Sequence, residues 1–414
     1  MLPWPGWIVV AESSLGERVA FLRRRRGLSQ VELASRLGRS ESWVSQVERG
    51  VRLVDRLSVL ERLAEQLGVT VGELRSEDAT AVDRAQSSAG SGFVDAIRGV
   101  LSGPPSGAVV FSGRTAVGPL DLASLAGRVD AAWELTHASQ SEEVCRRLSE
   151  LLPMLEQGAR SASAKEAASW FEVLAWAYQA ASAVLSVLGD ADACWVAADR
   201  AMTAAEHAGS SLLVVSGAHR LVLSFLRTGH VAQARLVASR TLQLLAPESE
   251  QGPAPLQSLW GALHLALAVV AGRDNDREAA ARHLRQADEA ADKVGEGRND
   301  FHTEFGPANV AIHRVAVAIE LGDAGAALDA AARVDVSHLS AERQARFLID
   351  VARAHVQRRL TVEALRALGD AERLAPEYLR EHRVARDLVR DLVARATDEN
   401  EELRELAQRM NVLP

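Results

Sequence analysis

Three glycines, Gly189, Gly229 and Gly322, each precede small residues at the same three offsets. Five, nine and twelve residues on stand Cys194, Ala198 and Ala201, then Ala234, Ala238 and Thr241, then Ala327, Ala331 and Val334. Counted from Arg359, the same offsets reach Ala364, Leu368 and Ala371. Such spacings fall on one helical face, and small side chains there let a second helix approach closely. A chain patterned this way is constrained to antiparallel helical pairs. Composition agrees: only 4% of the 414 residues are aromatic, and strand formers are sparse beside long Ala, Leu, Arg and Glu tracts. The expected fold class is all-α.

This register resembles the tetratricopeptide repeat (TPR), whose period is about 34 residues. Gly189 and Gly229 are 40 residues apart, so longer loops are expected. A pair near 256–271 and 277–294 keeps Ala280, Leu284 and Ala287 in register only if three residues are inserted at Gly272-Arg273-Asp274. About five pairs are predicted over 165–374, flanked by less regular helices at 121–158 and 377–410. An ordinary helical bundle is the alternative.

Upstream the chain changes character. Residues 12–75 hold 12 arginines against 9 carboxylates, a net +3, which leaves −11 for the remainder of a chain whose total is −8. That split suggests a small module that meets an anion and a larger acidic body. Between them, Ser87-Ser88-Ala89-Gly90-Ser91-Gly92 and Ser102-Gly103-Pro104-Pro105-Ser106-Gly107 read as linker, interrupted by an amphipathic stretch from Phe93 to Leu101 and a short β-like run at 108–111. The expected domains are 12–75, a mostly flexible linker at 76–119, and a repeat domain at 120–414.

Within 12–75, short helical periods are punctuated at Gly27-Leu28-Ser29, Gly38-Arg39-Ser40, Gly50 and Gly68, and Ser29 and Ser40 stand where N-caps belong. Val31, Leu33, Ala34 and Leu37 are expected on the inner face of the second helix, facing Val44 and Val47 of the third. Leu57, Leu60, Leu63, Ala64 and Leu67 of the fourth close the core.

The run Gly38-Arg39-Ser40-Glu41-Ser42-Trp43-Val44-Ser45-Gln46-Val47-Glu48-Arg49-Gly50, with Arg23 and Gln30 before it, resembles the Xre/Cro (λ-repressor-like) helix-turn-helix family. The resemblance implies a five-helix module whose third helix enters the major groove of double-stranded DNA. It makes Glu41, Ser42, Trp43, Ser45 and Gln46 the base-reading candidates, with Ser40 at the start of that helix. Trp43 either packs on a thymine methyl or covers the helix crossing. Gln30 matches the position that fixes a phosphate oxygen, and Arg39, Arg49, Arg52 and Arg56 are candidate phosphate clamps. The resemblance also implies that Arg23 and Glu48 bridge the first and third helices. Of the quartet Arg23 to Arg26, at most one or two are expected on phosphate, since consecutive helical residues point in different directions.

In TPR superhelices the first helix of each pair lines a concave surface that holds a peptide or a partner segment. Transferred here, the register places Trp176, Gln179, Ser216, His219, Asn309, His313, Arg346 and Arg353 on or beside it. An amide such as Asn309 can pair with a peptide backbone, and Arg346 or Arg353 can capture a carboxylate. The segment 299–307 brings a His, an Asp and a Glu together, but without metal-site spacing; a capped interhelical loop is expected there.

Enzymatic motifs are missing. Neither lysine, Lys165 or Lys293, follows a glycine as a phosphate loop requires, no nucleophile elbow is present, and Cys145 and Cys194 have no partner at metal or C-x-x-C spacing. No cofactor or metal is expected. The apolar stretch 259–271, broken by His264, is short for a bilayer span, and residues 1–10 read as an irregular leader, so a cytoplasmic chain without a membrane partner is expected. The forty-five arginines and the alanine bias are those of a GC-rich, actinobacterial genome. The architecture resembles regulators that join an Xre module to a TPR domain, including peptide-pheromone receptors. That resemblance implies a homodimer on a palindromic operator, controlled by a peptide or small molecule. An interaction scaffold whose groove docks a protein partner is the alternative, and autoregulation without ligand a third.

Overall fold

The computed structural model describes residues 15–26, 28–49, 52, 54, 57–67, 71, 74, 92–103, 120–246, 252–395 and 400–412. These residues are helical, with no strand among them, and they divide into two compact units at Gly90/Ser91. Arg56, the glycine turns at 27, 50 and 68, the β-like run at 108–111 and the leader at 1–10 lie outside the described residues.

The first unit contains α1 (Leu15–Arg25), α2 (Gln30–Leu37), α3 (Glu41–Glu48) and α4 (Leu57–Leu67). Of an expected fifth helix only Val71 and Leu74 are described. The serine caps form: Ser29 and Glu32 make a reciprocal capping box, Gly38 ends α2 in the left-handed region at φ +63°, and Ser40 accepts from the amide of Trp43. Leu33, Ala34, Leu37, Val44, Val47, Leu60, Leu63, Ala64 and Leu67 form the core. Val31 departs from expectation at 56% exposure, because the face chosen by Leu33, Ala34 and Leu37 leaves it on the far side of α2.

The second unit begins before residue 120. The stretch from Phe93 forms α5 (Gly92–Ser102), which buries Ile97 and Leu101 in the same cluster as Leu148 and Leu152, while Arg98 reaches Asp190 at 2.5 Å. The expected linker at 76–119 therefore does not hold over 92–103, where apolar side chains find a helical surface to cover.

Six helical pairs follow. They are α6 (Leu122–His137) with α7 (Ser141–Ser161), α8 (Ala167–Val187) with α9 (Ala191–His207), α10 (Ser211–Thr228) with α11 (Val231–Leu245), and α12 (Ala254–Arg273) with α13 (Arg277–Val294). The last two are α14 (Pro307–Leu321) with α15 (Ala324–Ala331) and α16 (Ala341–Gln357) with α17 (Thr361–Leu374). Each turns on one left-handed residue: Ser139, Gly189, Gly229, Asn275, Gly322 or Arg359. At offsets five and nine from the three glycines and Arg359, the side chains are buried, except that Ala331 is partly exposed. Two details correct the sequence reading. The third predicted pair needs no insertion, since its turn residue is Asn275, five residues before Ala280; Gly272 is helical and lies against Glu320 and Val317 of α14. The helices at 121–158 obey the same register from Ser139, with Val144, Leu148 and Leu151 in place of small residues.

The first helices α8, α10, α12, α14 and α16 pack in succession, and α16 also touches α6, so the stack curls until its ends meet. Beyond it lie α18 (Pro376–Glu381), α19 (Arg383–Arg395) and α20 (Glu401–Arg409), buried through Tyr378, Leu379, Val389 and Leu406. α12 is long and apolar enough to cross a membrane, longer than the apolar stretch suggested, but 83% of that window is buried among the other helices.

Candidate functional site

In the first unit, α3 is set by a buried ion pair. Arg23 of α1 donates through Nε to Glu48 Oε1 at 2.5 Å and through Nη2 to Oε2 at 2.9 Å, while its Nη1 donates to the carbonyl of Leu28 at 2.7 Å. The side chains of this pair are 11% and 6% exposed, so the charges are shielded from water and bidentate geometry fixes the angle of α3. Glu48 holds the Arg23 guanidinium above its ordinary pKa through that hydrogen bond, against burial, which opposes it.

What α3 turns outward is Glu41 and Ser42, with Ser45 and Gln46 partly exposed; Gln46 Nε2 lies 3.5 Å from Ser42 Oγ, one turn away. Arg49 and Arg52 are exposed at its end, and Ser40 at its start. These groups offer donors, acceptors and positive charge on one face, a set that can read base edges and hold phosphates. Two candidates are placed otherwise. Trp43 is buried, at 9% exposure, in the core between α2 and α3, with the Arg39 guanidinium 5.6 Å from its ring centroid; it covers the helix crossing and is not an outward reader. Gln30 donates through Nε2 to Glu48 Oε2 at 2.7 Å and so braces the Arg23–Glu48 bridge.

In the second unit the concave surface is filled by its own chain. The segment between α13 and α14 makes a 3-10 turn (Asp300–His302) and carries three non-glycine residues in the left-handed region, Phe301, His302 and Glu304. Backbone of this kind costs of order 1–3 kcal/mol per residue and persists only where surroundings enforce it. Here they do: Arg220 donates to the carbonyls of Phe301 and His302, Asn309 donates to those of Thr303 and Glu304, and the amide and hydroxyl of Ser340 donate to the Glu304 carboxylate, each at 2.8 Å. Gly306 and Pro307 then start α14, as expected.

Beside this strap lies a recess of about 30 Å³ lined by Trp133, His137, Arg220, Arg227, His302, Glu304, Glu342, Arg343 and Arg346, among others. Burial pushes the His302 imidazole down to about 3, with Arg220 and His137 adding to the shift. Burial alone would raise Glu304, but His137 at 3.2 Å, Arg343 and the Ser340 amide bring it down to about 2. Arg220 is pushed down to about 10 by burial and by the neighbouring positive charge of Arg343.

The groove residues read from the repeat register divide. Arg346 lines the recess. Trp176 stacks on Phe301 at 5.7 Å between ring centroids. Gln179, Ser216, His219, Asn309 and His313 are buried between helices and do not face an open groove. Ser216 Oγ donates to Gln179 Oε1 at 2.8 Å, Asn309 holds the strap, and His313 Nδ1 sits 2.8 Å from the carbonyl of Asn309. Arg353 pairs with Glu320 and Asp350. The tight curl brings the first helices close enough to bury these side chains; Ser216 and Gln179 satisfy each other, while His219 Nδ1 and Asn309 Oδ1 are buried without a hydrogen-bond partner. Arg220, Arg227 and Arg343 were missed, although arginines spaced seven apart on the apolar helix α10 were a visible signal. Among the described residues no group of three or more His, Cys, Asp and Glu side chains is arranged to hold a metal ion.

Residues 14–77 match the family described as a helix-turn-helix domain. No curated protein matches the chain. Among solved structures, one described as that of a PrgX mutant is similar at 10% identity, with a TM-score of 0.35, covering 86% of this chain and 100% of that one.

Proposed function

We propose that the chain is a sequence-specific DNA-binding regulator that reads a double-stranded operator through α3 and is controlled by a signal bound in its helical-repeat unit. The observation that carries this reading is the face of α3: Glu41, Ser42, Ser45 and Gln46 outward, Arg49 and Arg52 beside them, and the whole helix locked by the Arg23–Glu48 bridge inside a segment that matches a helix-turn-helix family. A polar helix face held this rigidly by neighbouring helices suits base recognition, because each bidentate pairing needs its side chain within a few tenths of an ångström. The Xre kinship, a homodimer on a palindromic site and a cytoplasmic location belong to the same proposal. The reading has no catalytic component.

Control through the repeat unit rests on the recess and strap. A ligand shifts an equilibrium only by the difference in its affinity for two states, and this reading makes the strained strap in the concave centre the element whose position the ligand biases. The scaffold alternative is weaker, since a concave surface occupied by Phe301 and His302 leaves no groove for a partner segment.

Selection of bound sequences from a random double-stranded pool by the purified full-length chain tests the first part. Enrichment of a two-fold symmetric motif is expected. A pool that emerges unenriched sinks the proposal.

A further inference from the structure

Four guanidinium groups, those of Arg220, Arg227, Arg343 and Arg346, line the central recess of the repeat unit, and only two carboxylates, Glu304 and Glu342, stand with them. The histidines at its wall add no balancing negative charge. Arg227 pairs with Glu342 at 3.2 Å, and Arg343 lies 3.7 Å from Glu304 while donating to the carbonyl of Thr303. Arg220 is spent on the strap carbonyls. Arg346 makes no hydrogen bond and no ion pair within 4 Å among the described residues, Asp350 acting on it only from farther off, and it opens onto the recess. The buried Nε atoms of Arg220 and Arg343 also lack hydrogen-bond partners.

Buried guanidinium groups in excess of carboxylates, with donors unsatisfied, are costly unless an anion completes the set. We infer that this recess binds the anionic head of a small acid, a carboxylate or a phosphate, with Arg346 as its principal anchor and Arg343 and Arg227 beside it. The recess, about 30 Å³, is small, which suits a compact anionic head. His302 and Glu304 of the strap line the same recess, so a head bound there meets the strap directly. This deepens the proposed control site and rests on that reading for its regulatory meaning, though not for the binding itself.

The test is thermal unfolding and calorimetric titration of the full-length chain with inorganic phosphate and, separately, malonate, against sodium chloride at matched ionic strength. A rise in the unfolding midpoint beyond the chloride control is expected with at least one of the two, and which one responds identifies a tetrahedral or a planar anion. Arg346→Met surrenders no hydrogen bond and should fold; the same anion should bind it about tenfold more weakly or worse. Arg346→Gln is run in parallel and judged likewise. Equal midpoints in phosphate, malonate and chloride, or a variant that binds as the parent does, would overturn the inference. Retention of operator DNA by the anion-free parent is measured alongside: DNA binding without anion binding defeats the recess alone, and anion binding without DNA binding defeats the regulator alone.

Discussion

His302 lies flat against Trp133, with ring centroids 3.9 Å apart and planes 4° from parallel, while the Arg220 guanidinium covers the indole from 4.9 Å. This stack joins the strap to the first helix of the curl, α6, and keeps an imidazole neutral in a positively charged recess. Burial, with Arg220 and His137, holds its folded pKa at about 3 against an ordinary 6.5.

The pH dependence follows from that difference. Below pH 6.5 the unfolded chain takes up a proton at this residue and the folded chain does not, so stability falls as pH drops from 6.5 towards 3. Between pH 7 and 5 this one group should cost about 2 kcal/mol. His302→Phe, which keeps a ring on Trp133, should lack that part of the loss. Urea midpoints of parent and variant at the two pH values check it, and identical losses would refute it.

Glu304 acts lower on the scale. Its folded pKa of about 2 lies below the ordinary 4.5, so the stability it contributes is present above pH 4.5 and disappears as pH falls towards 2. Glu304→Gln should destabilise the repeat unit at pH 7 by removing the charge facing His137 and Arg343, and the penalty should shrink by pH 3. A penalty independent of pH, read by circular dichroism during urea unfolding, would show that the carboxylate is not the active form.

Replacing Ser42 and Gln46 with Ala should weaken operator binding by about 1–3 kcal/mol for each base-edge pairing removed, with retention on random DNA nearly unchanged. Equal weakening on both DNAs would mean that α3 is not the reader. Glu48→Ala should act through stability instead, at about 3 kcal/mol, because Arg23 and Gln30 lose a common buried acceptor. Hydrogen exchange mass spectrometry should show α1 and α3 opening faster, and an unchanged exchange pattern would remove the bridge from the account.

Two glycines in the repeat unit should not tolerate a methyl group. A Cβ at Gly158 would lie 2.0 Å from the Trp170 ring, and one at Gly261 would lie 1.9 Å from Phe305. Ala at either site should cost about 1–3 kcal/mol by overpacking. Gly127 in the interior of α6 has open space, and Gly127→Ala should stabilise by about 0.5–1 kcal/mol through helix propensity. Thermal midpoints that place Gly127→Ala anywhere but above the other two variants would contradict the packing described.

Much of this was written locally in the chain. The capping serines, the left-handed glycines and the buried small residues at offsets five and nine each depend on neighbours within a turn or two of helix, where spacing alone decides which face meets which. The Arg23–Glu48 bridge was legible only through the family resemblance, since nothing within a turn or two of helix pairs two residues 25 positions apart. Val31 and Trp43 show the limit of that reading: α2 and α3 are so short that two or three apolar residues settle the buried face, and periodicity over eight positions does not fix it.

The sequence by itself determined the all-α class, the two-unit order, the repeated helical pairs and the polar face of α3, since these follow from periodicity and from backbone geometry at single residues. Only the tertiary structure decided how tightly the pairs curl. That curvature accumulates from small rotations at every interface, and it carries Gln179, Ser216, Asn309 and His313 into the packing between helices, seats His302 on Trp133, and gathers Arg220, Arg227, Arg343 and Arg346 from separate helices around one recess.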